Sequence, residues 1–192
     1  MDEEHWKWVF TREIEEREVP HAWSFQIQEI HQKPEGWLQY TLCAFGRFCC
    51  STCGRFWASS KVHVVFYIKM VRKTGQVMMY VFKQKCKICN TNSYEYPTFT
   101  EENIEIVINR LVTRILVKYF GKLATDEPER KFIVSGNQTG PHDRGNCEAC
   151  ASGVCDKGNT DPYRGPYYSV YSIYDTDETE SIPDQTCCCV IL

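Results

Sequence analysis

Between Glu35 and Glu95 the chain carries no aspartate or glutamate. The overall charge of −3 therefore describes no particular part of the molecule. That acid-free stretch holds Arg47, Arg55, Lys61, Lys69, Arg72, Lys73, Lys83, Lys85 and Lys87. Long apolar runs are missing too. Val62–Val71 is broken by His63 and Lys69, and Ile104–Phe120 contains Glu105, Arg110, Arg114 and Lys118. Neither approaches the roughly 18 uncharged residues of a spanning helix. The first residues, Met1-Asp2-Glu3-Glu4-His5, are acidic and lack an apolar core, so they do not read as a secretory leader. These absences predict a reducing compartment, where paired cysteines bind metal more often than they form disulfides.

Cysteine, by contrast, is abundant, with 12 in 192 residues. Six of them form Cys-x-x-Cys pairs: Cys50/Cys53, Cys86/Cys89 and Cys147/Cys150. His142 precedes the last pair and Cys155 follows it. A Cys-x-x-Cys turn offers two sulfurs to one ion, and Zn²⁺ takes four tetrahedral thiolate or imidazole donors. These eight residues suit two closed structural zinc sites per chain. The simplest division gives Cys50, Cys53, Cys86 and Cys89 one ion and His142, Cys147, Cys150 and Cys155 the other; a crossed pairing fits the spacing as well. Cys43 reads as an inert strand cysteine. Cys49 should point away from its neighbour Cys50, and His63 reads as a structural strand residue. Closed sites leave no position for a reacting water, and no nucleophile–base pairing stands out, so the reading is non-enzymatic.

The pattern predicts an α+β fold: an antiparallel, zinc-ribbon-like sheet with a long packed helix and two structural zinc sites, followed by a disordered tail. Residues 2–17 repeat Trp6, Phe10 and Ile14 at helical spacing, with Val9 beside them. Trp23, Phe25 and Ile27, then Leu38, Tyr40 and Leu42, alternate as half-buried strands joined by a turn at Lys33-Pro34-Glu35-Gly36. Two further strands, Val62–Val71 and Val77–Gln84, flank Arg72–Gln76. Both faces of this hairpin are apolar, which predicts cover on both sides. Trp57 is placed to shield the first knuckle. The longest helix runs near Thr100–Phe120, with Thr100 as cap, Glu101 and Glu102 in the first turn, and Gly121 as the stop.

A zinc-binding domain is thus expected over residues 1–155, with a polar loop at 122–141. Residues 156–186 read as a disordered acidic linker with Lys157 and Arg164 against seven acidic residues. Residues 187–192 end in Cys189-Val190-Ile191-Leu192, a C-a-a-X box whose terminal leucine favours geranylgeranyl transfer to Cys189. One lipid chain anchors only marginally. The acidic linker cannot supply a polybasic second signal, which leaves palmitoylation of Cys187 and Cys188 as the candidate.

The segments Gly46-Arg47-Phe48, Cys50-x-x-Cys53, Trp57-Ala58-Ser59, Cys86-x-x-Cys89, Tyr119-Phe120-Gly121 and His142 with Cys147-Glu148-Ala149-Cys150-x-x-Gly153-x-Cys155 resemble the receptor-transporting proteins. The likeness spans roughly residues 5–155. It implies a zinc-dependent adaptor promoting the surface appearance of G-protein-coupled receptors of the olfactory and taste type. Family members commonly end in a transmembrane helix, and here a lipid would take its place. The expected location is the cytoplasmic face of endoplasmic reticulum, Golgi or plasma membrane. The resemblance also implies an alternative, an interferon-induced antiviral effector that binds RNA. Lys69, Arg72, Lys73, Lys83 and Lys85 are the candidate contacts, with Phe45, Phe48, Phe56, Trp57, Phe66, Tyr67, Tyr80 and Phe82 interleaved as stacking platforms. Lysines that compensate the negative charge of a four-thiolate zinc site would produce the same pattern.

Overall fold

The computed structural model describes residues 2–89, 92–122, 131–134 and 142–155. Helix α1 (Glu3–Glu16) begins where the Asp2 carboxylate accepts the His5 amide, and it buries Trp6, Val9 and Phe10. Four strands follow: β1 (Ala22–Ile27), β2 (Leu38–Cys49), β3 (Phe56–Val71) and β4 (Thr74–Val81). A short pair, β5 (Gln84–Lys85) and β6 (Tyr94–Glu95), precedes α2 (Glu101–Phe120). Thr100 caps α2 by accepting the Asn103 amide, and Gly121 ends it at φ +61°. A 3-10 turn (Arg144–Asn146) and the four-residue α3 (Glu148–Ala151) close the described chain.

The main sheet has the order β1-β4-β3-β2. β2/β3 and β3/β4 are antiparallel, whereas β1 runs parallel to β4. Two sequence expectations are corrected here. β1 and β2 do not form a hairpin through Lys33–Gly36; they lie at opposite edges. The segment between them crosses a sheet face, where the His31 ring packs on Phe82, Tyr80 and Tyr67 at centroid distances of 4.7, 5.4 and 6.2 Å. A ten-residue connection with its own aromatic anchor has the reach to cross the sheet. The β3–β4 turn is also shorter than expected. Val71 pairs with Thr74 across Arg72–Lys73, and Arg72 takes φ +55°. β4 extends back through Gly75 because a glycine there lets the Trp23 ring lie on the strand: a Cβ at Gly75 would fall 2.3 Å from it.

Alternation in β3 and β4 divides the interior. Val62, Val64, Phe66 and Ile68, with Val77, Met79 and Val81, face α1 and α2 and their buried Phe10, Ile108, Leu111 and Ile115. Val65 and Tyr67, with Tyr80 and Phe82, face Cys147, Ala149 and Cys155. The hairpin is therefore covered on both sides, by helices on one and by the last cysteine cluster on the other. α1 is held on α2 by Arg12–Glu105 at 2.6 Å, Asn109–Glu13 at 2.8 Å and Arg17–Thr113 at 2.7 Å.

Candidate metal centres

The first knuckle lies between β2 and β3. The Cys50 amide donates to the Arg55 carbonyl and the Gly54 amide to that of Cys50, closing a turn in which Gly54 takes φ +71°. The second knuckle lies between β5 and β6. β5 pairs with β6, and the Glu95 carboxylate on β6 accepts both the amide and the hydroxyl of Ser51, at 2.8 and 2.7 Å. This latch docks one knuckle on the other. Cys50 Sγ then lies 3.6 Å from Cys89 Sγ and Cys53 Sγ 3.9 Å from Cys86 Sγ. Zn–S bonds of ~2.3 Å in a tetrahedron require S···S edges of ~3.8 Å, so the four sulfurs stand at the spacing one zinc ion needs.

The electrostatics agree. The Cys53 amide, seconded by Thr52, holds the Cys50 thiol below its ordinary range. The Cys89 and Ile88 amides hold Cys86 down to about 6. Cys89 is pushed up to about 12, chiefly by its hydrogen bond with Cys53. Backbone dipoles thus favour the first thiolates while neighbouring sulfurs oppose the last one. A cation at the centre removes that opposition. Trp57, stacked on Phe48 and donating to the Gln84 side chain at 2.9 Å, is buried in the same core cluster as Cys50 and Cys86.

The second tetrad is built from one end of the chain upon the sheet. Cys147 pairs with Gln84 in an isolated bridge, and the Glu148 amide donates to the Lys83 carbonyl. Gly153, at φ +67°, turns the chain back so that the Val154 and Cys155 amides reach the Ala149 carbonyl. Cys155 Sγ arrives 3.9 Å from Cys147 Sγ. His142 Nε2 lies 2.7 Å from Cys150 Sγ. That is inside the ~3.6 Å N···S edge implied by zinc bond lengths, so the imidazole must withdraw by under ~1 Å to ligate together with Cys150. The ligand atoms of each tetrad lie within 4.8 Å of one another. The structure thus brings together the uncrossed sets, and each can hold one zinc.

Two residues near the second tetrad were not singled out by sequence. Glu148 lies between Cys147 and Cys150, and its carboxylate accepts the Tyr80 hydroxyl at 2.7 Å and the Lys83 amide at 2.8 Å. It bolts the cluster to β4. An x-position in a Cys-x-x-Cys pair gives no local signal of such a partner 68 residues away. His63, set aside as structural, places Nδ1 3.8 Å from Cys155 Sγ, behind the tetrad. Cys43 and Cys49 lie outside both tetrads.

The candidate RNA contacts do not converge. Lys69, Arg72 and Lys73 lie at or near the β3–β4 turn; Lys83 and Lys85 lie beyond the other end of the eight-residue β4, ~20 Å or more away. Lys83 rests on Tyr96 at 4.5 Å and Lys85 on Tyr94 at 4.7 Å. Of the interleaved aromatics, only Phe56 is exposed; the others are core. Cys187, Cys188 and Cys189, the acidic linker at 156–186 and most of the 122–141 loop lie outside the described residues. Among the described residues no helix is long and apolar enough to cross a membrane.

A ribbon in which two Cys-x-x-Cys turns can share one ion, completed by a third pair on the sheet's reverse face, defines a 3CxxC-type zinc-binding domain. The family model for that zinc ribbon, described as a zinc-binding domain, matches residues 43–153. Similar curated proteins include receptor-transporting protein 4 of Homo sapiens, 35% identical over 158 residues, covering 80% of this chain and 64% of that protein. Receptor-transporting protein 3 of Mus musculus is 35% identical over 160 residues, covering 80% of this chain and 34% of that protein. Receptor-transporting protein 1 of Mus musculus is 34% identical over 156 residues, covering 78% and 58%. The chain belongs to the receptor-transporting protein family, and it spans about a third to two thirds of the length of these relatives. No solved structure gives a significant match.

Proposed function

We propose that this chain is a zinc-stabilised, membrane-tethered adaptor that promotes the cell-surface trafficking of G-protein-coupled receptors of the olfactory and taste type. The observation that carries the reading is the extent of the likeness. Relatives named for receptor transport align over about four fifths of the chain, and the zinc-ribbon match reaches from before the first knuckle to Gly153. The role is non-catalytic, because four protein donors at each centre leave no coordination position for a reacting water. Prenylation of Cys189, supported by palmitoylation of Cys187 and Cys188, would hold the domain (residues 1–155) at the cytoplasmic leaflet, beyond the 156–186 linker. Tethering raises its effective concentration at receptor loops without any new contact.

The test is surface staining of a co-expressed olfactory receptor. The intact chain raises surface signal, and Cys189→Ser abolishes the gain while leaving the domain's melt unchanged. An unchanged gain in Cys189→Ser removes the tethering idea. No gain from the intact chain with any receptor removes the adaptor reading.

The antiviral RNA reading has less support. Its basic residues fall into two separated groups, and its stacking residues are nearly all core. Ultraviolet crosslinking in cells separates the two readings: background-level crosslinking is expected, and strong crosslinking lost when Lys69, Arg72, Lys73, Lys83 and Lys85 become glutamine would reverse the order.

A further inference from the structure

The end of the molecule that carries the first tetrad displays two large apolar side chains. Phe56 is 72% exposed and Ile88 64%. Phe56 opens β3 just after the first knuckle, and Ile88 fills an x-position of the second. Because Cys50 meets Cys89 and Cys53 meets Cys86, the two side chains flank one tetrad from its two halves. The surface around them is made of turns: residues 51–54 and Lys87 are all exposed. In the β2–β3 register Phe56 stands opposite Cys49, and Arg47, two residues along, shares that face and is also exposed.

The charge is one-sided. Residues 46–56 and 83–89, which build this end, contain Arg47, Arg55, Lys83, Lys85 and Lys87 and no carboxylate. Glu95 reaches the same end from β6, but its Oε1 is engaged by the Ser51 amide and hydroxyl. α1 and α2 begin near this end, where Trp6 packs on Phe99 and Thr98 pairs with Arg47, but they lie on the sheet face of Phe48 and Trp57, and alternation puts Arg47 and Phe56 on the other face.

We propose that this zinc-built tip docks on an anionic lipid bilayer, with Phe56 and Ile88 entering the headgroup–acyl boundary while Arg47 and Lys87 meet lipid phosphates. Two exposed apolar side chains offer far less than the ~800 Å² per partner of a stable protein interface. Peripheral lipid docking needs only a few apolar side chains ringed by cations. Strand alternation keeps Phe56 outward, since its neighbour Trp57 is buried, and Ile88 stands outward while Cys86 and Cys89 join the tetrad. One lipid chain is a marginal anchor, so the tip would supply a second signal that the acidic linker cannot. The inference does not depend on prenylation.

The test uses the full, zinc-loaded, unprenylated chain and flotation with phosphatidylcholine vesicles, with and without phosphatidylserine. Flotation is expected with phosphatidylserine and weakened by salt. Phe56→Ser/Ile88→Ser should lower the bound fraction by roughly tenfold or more with an unchanged melting transition, as both side chains are exposed. Arg47→Gln/Lys87→Gln should remove the preference for phosphatidylserine. Absence of flotation, or equal flotation by the Phe56/Ile88 variant, overturns the proposal. Absence of flotation together with lost receptor co-purification by that variant would reassign the tip to a protein partner. No lipid anchor or receptor enters the vesicle assay, so its failure leaves the adaptor reading standing.

Discussion

The Tyr80 hydroxyl lies 2.7 Å from Glu148 Oε1, joining the middle of the sheet to the inside of a Cys-x-x-Cys pair. The contact is charge-assisted, and the other carboxylate oxygen is taken by the Lys83 amide. Breaking one side of such a partly buried, charge-assisted bond costs about 1–3 kcal/mol. Tyr80→Phe and Glu148→Gln should each lower the midpoint of thermal unfolding. The double variant should cost less than the sum, because both remove the same bond. Additive losses in the double-mutant cycle would disprove the coupling.

Alkaline pH should destabilise the domain through the same tyrosine. Burial, then the Glu148 carboxylate, raises the Tyr80 phenol well above its ordinary range, and burial pushes Tyr67 up to about 12. In the unfolded chain these phenols ionise near ~10. Their contribution is therefore complete below pH ~10 and lost as pH rises further, where the unfolded chain binds fewer protons. Denaturant titrations from pH 9 to 11 should show stability falling, and Tyr80→Phe should flatten the fall. An unchanged slope in that variant would count against the assignment.

Native mass spectrometry should find two zinc ions per chain. Cys86→Ser and Cys147→Ser should each lower the count by one, whereas Cys43→Ser and Cys49→Ser should keep both. Chelation should unfold the domain cooperatively. Without the second tetrad, Val65, Tyr67, Tyr80 and Phe82 lose their cover, at about 1.5–3 kcal/mol each, comparable with the ~5–15 kcal/mol net stability of a typical domain. A chelated chain that keeps its melt would disprove structural zinc.

Gly75→Val should cost about 1–3 kcal/mol by overpacking, since a Cβ at that position meets the Trp23 ring at 2.3 Å. The loss should shrink when Trp23 is also changed to Ala. A chemical-denaturation series on the four variants decides it.

Much of the fold could be read in the chain, and the parts that could are local. Thr100, Glu101, Glu102 and Gly121 mark the ends of α2 within a residue, because caps act on the nearest turn. The two apolar faces of Val77–Gln84 foretold a hairpin covered on both sides. The three Cys-x-x-Cys spacings named six candidate donors because a knuckle is a four-residue object, and His142 and Cys155 were added from their places around the last pair. The partner of β1 could not be read this way: alternation shows that a segment is a strand but not which strand it joins, and the chain after β1 instead crosses the sheet with His31 packed on Phe82. Glu148 was likewise invisible without Tyr80 opposite it.

By itself the sequence determined which atoms are available for metal, where turns and helix ends fall, and which residues alternate toward a core. These follow from interactions within a few bonds of one another. The tertiary structure alone decided that Cys50, Cys53, Cys86 and Cys89 share one centre and His142, Cys147, Cys150 and Cys155 the other. It also decided that the five candidate basic residues fall at two ends of a strand, and that Phe56 and Ile88 flank one tetrad while the neighbouring aromatics are buried. Those outcomes rest on contacts between segments far apart in the chain, fixed by sheet register and by the pairing of knuckles, which no local periodicity encodes.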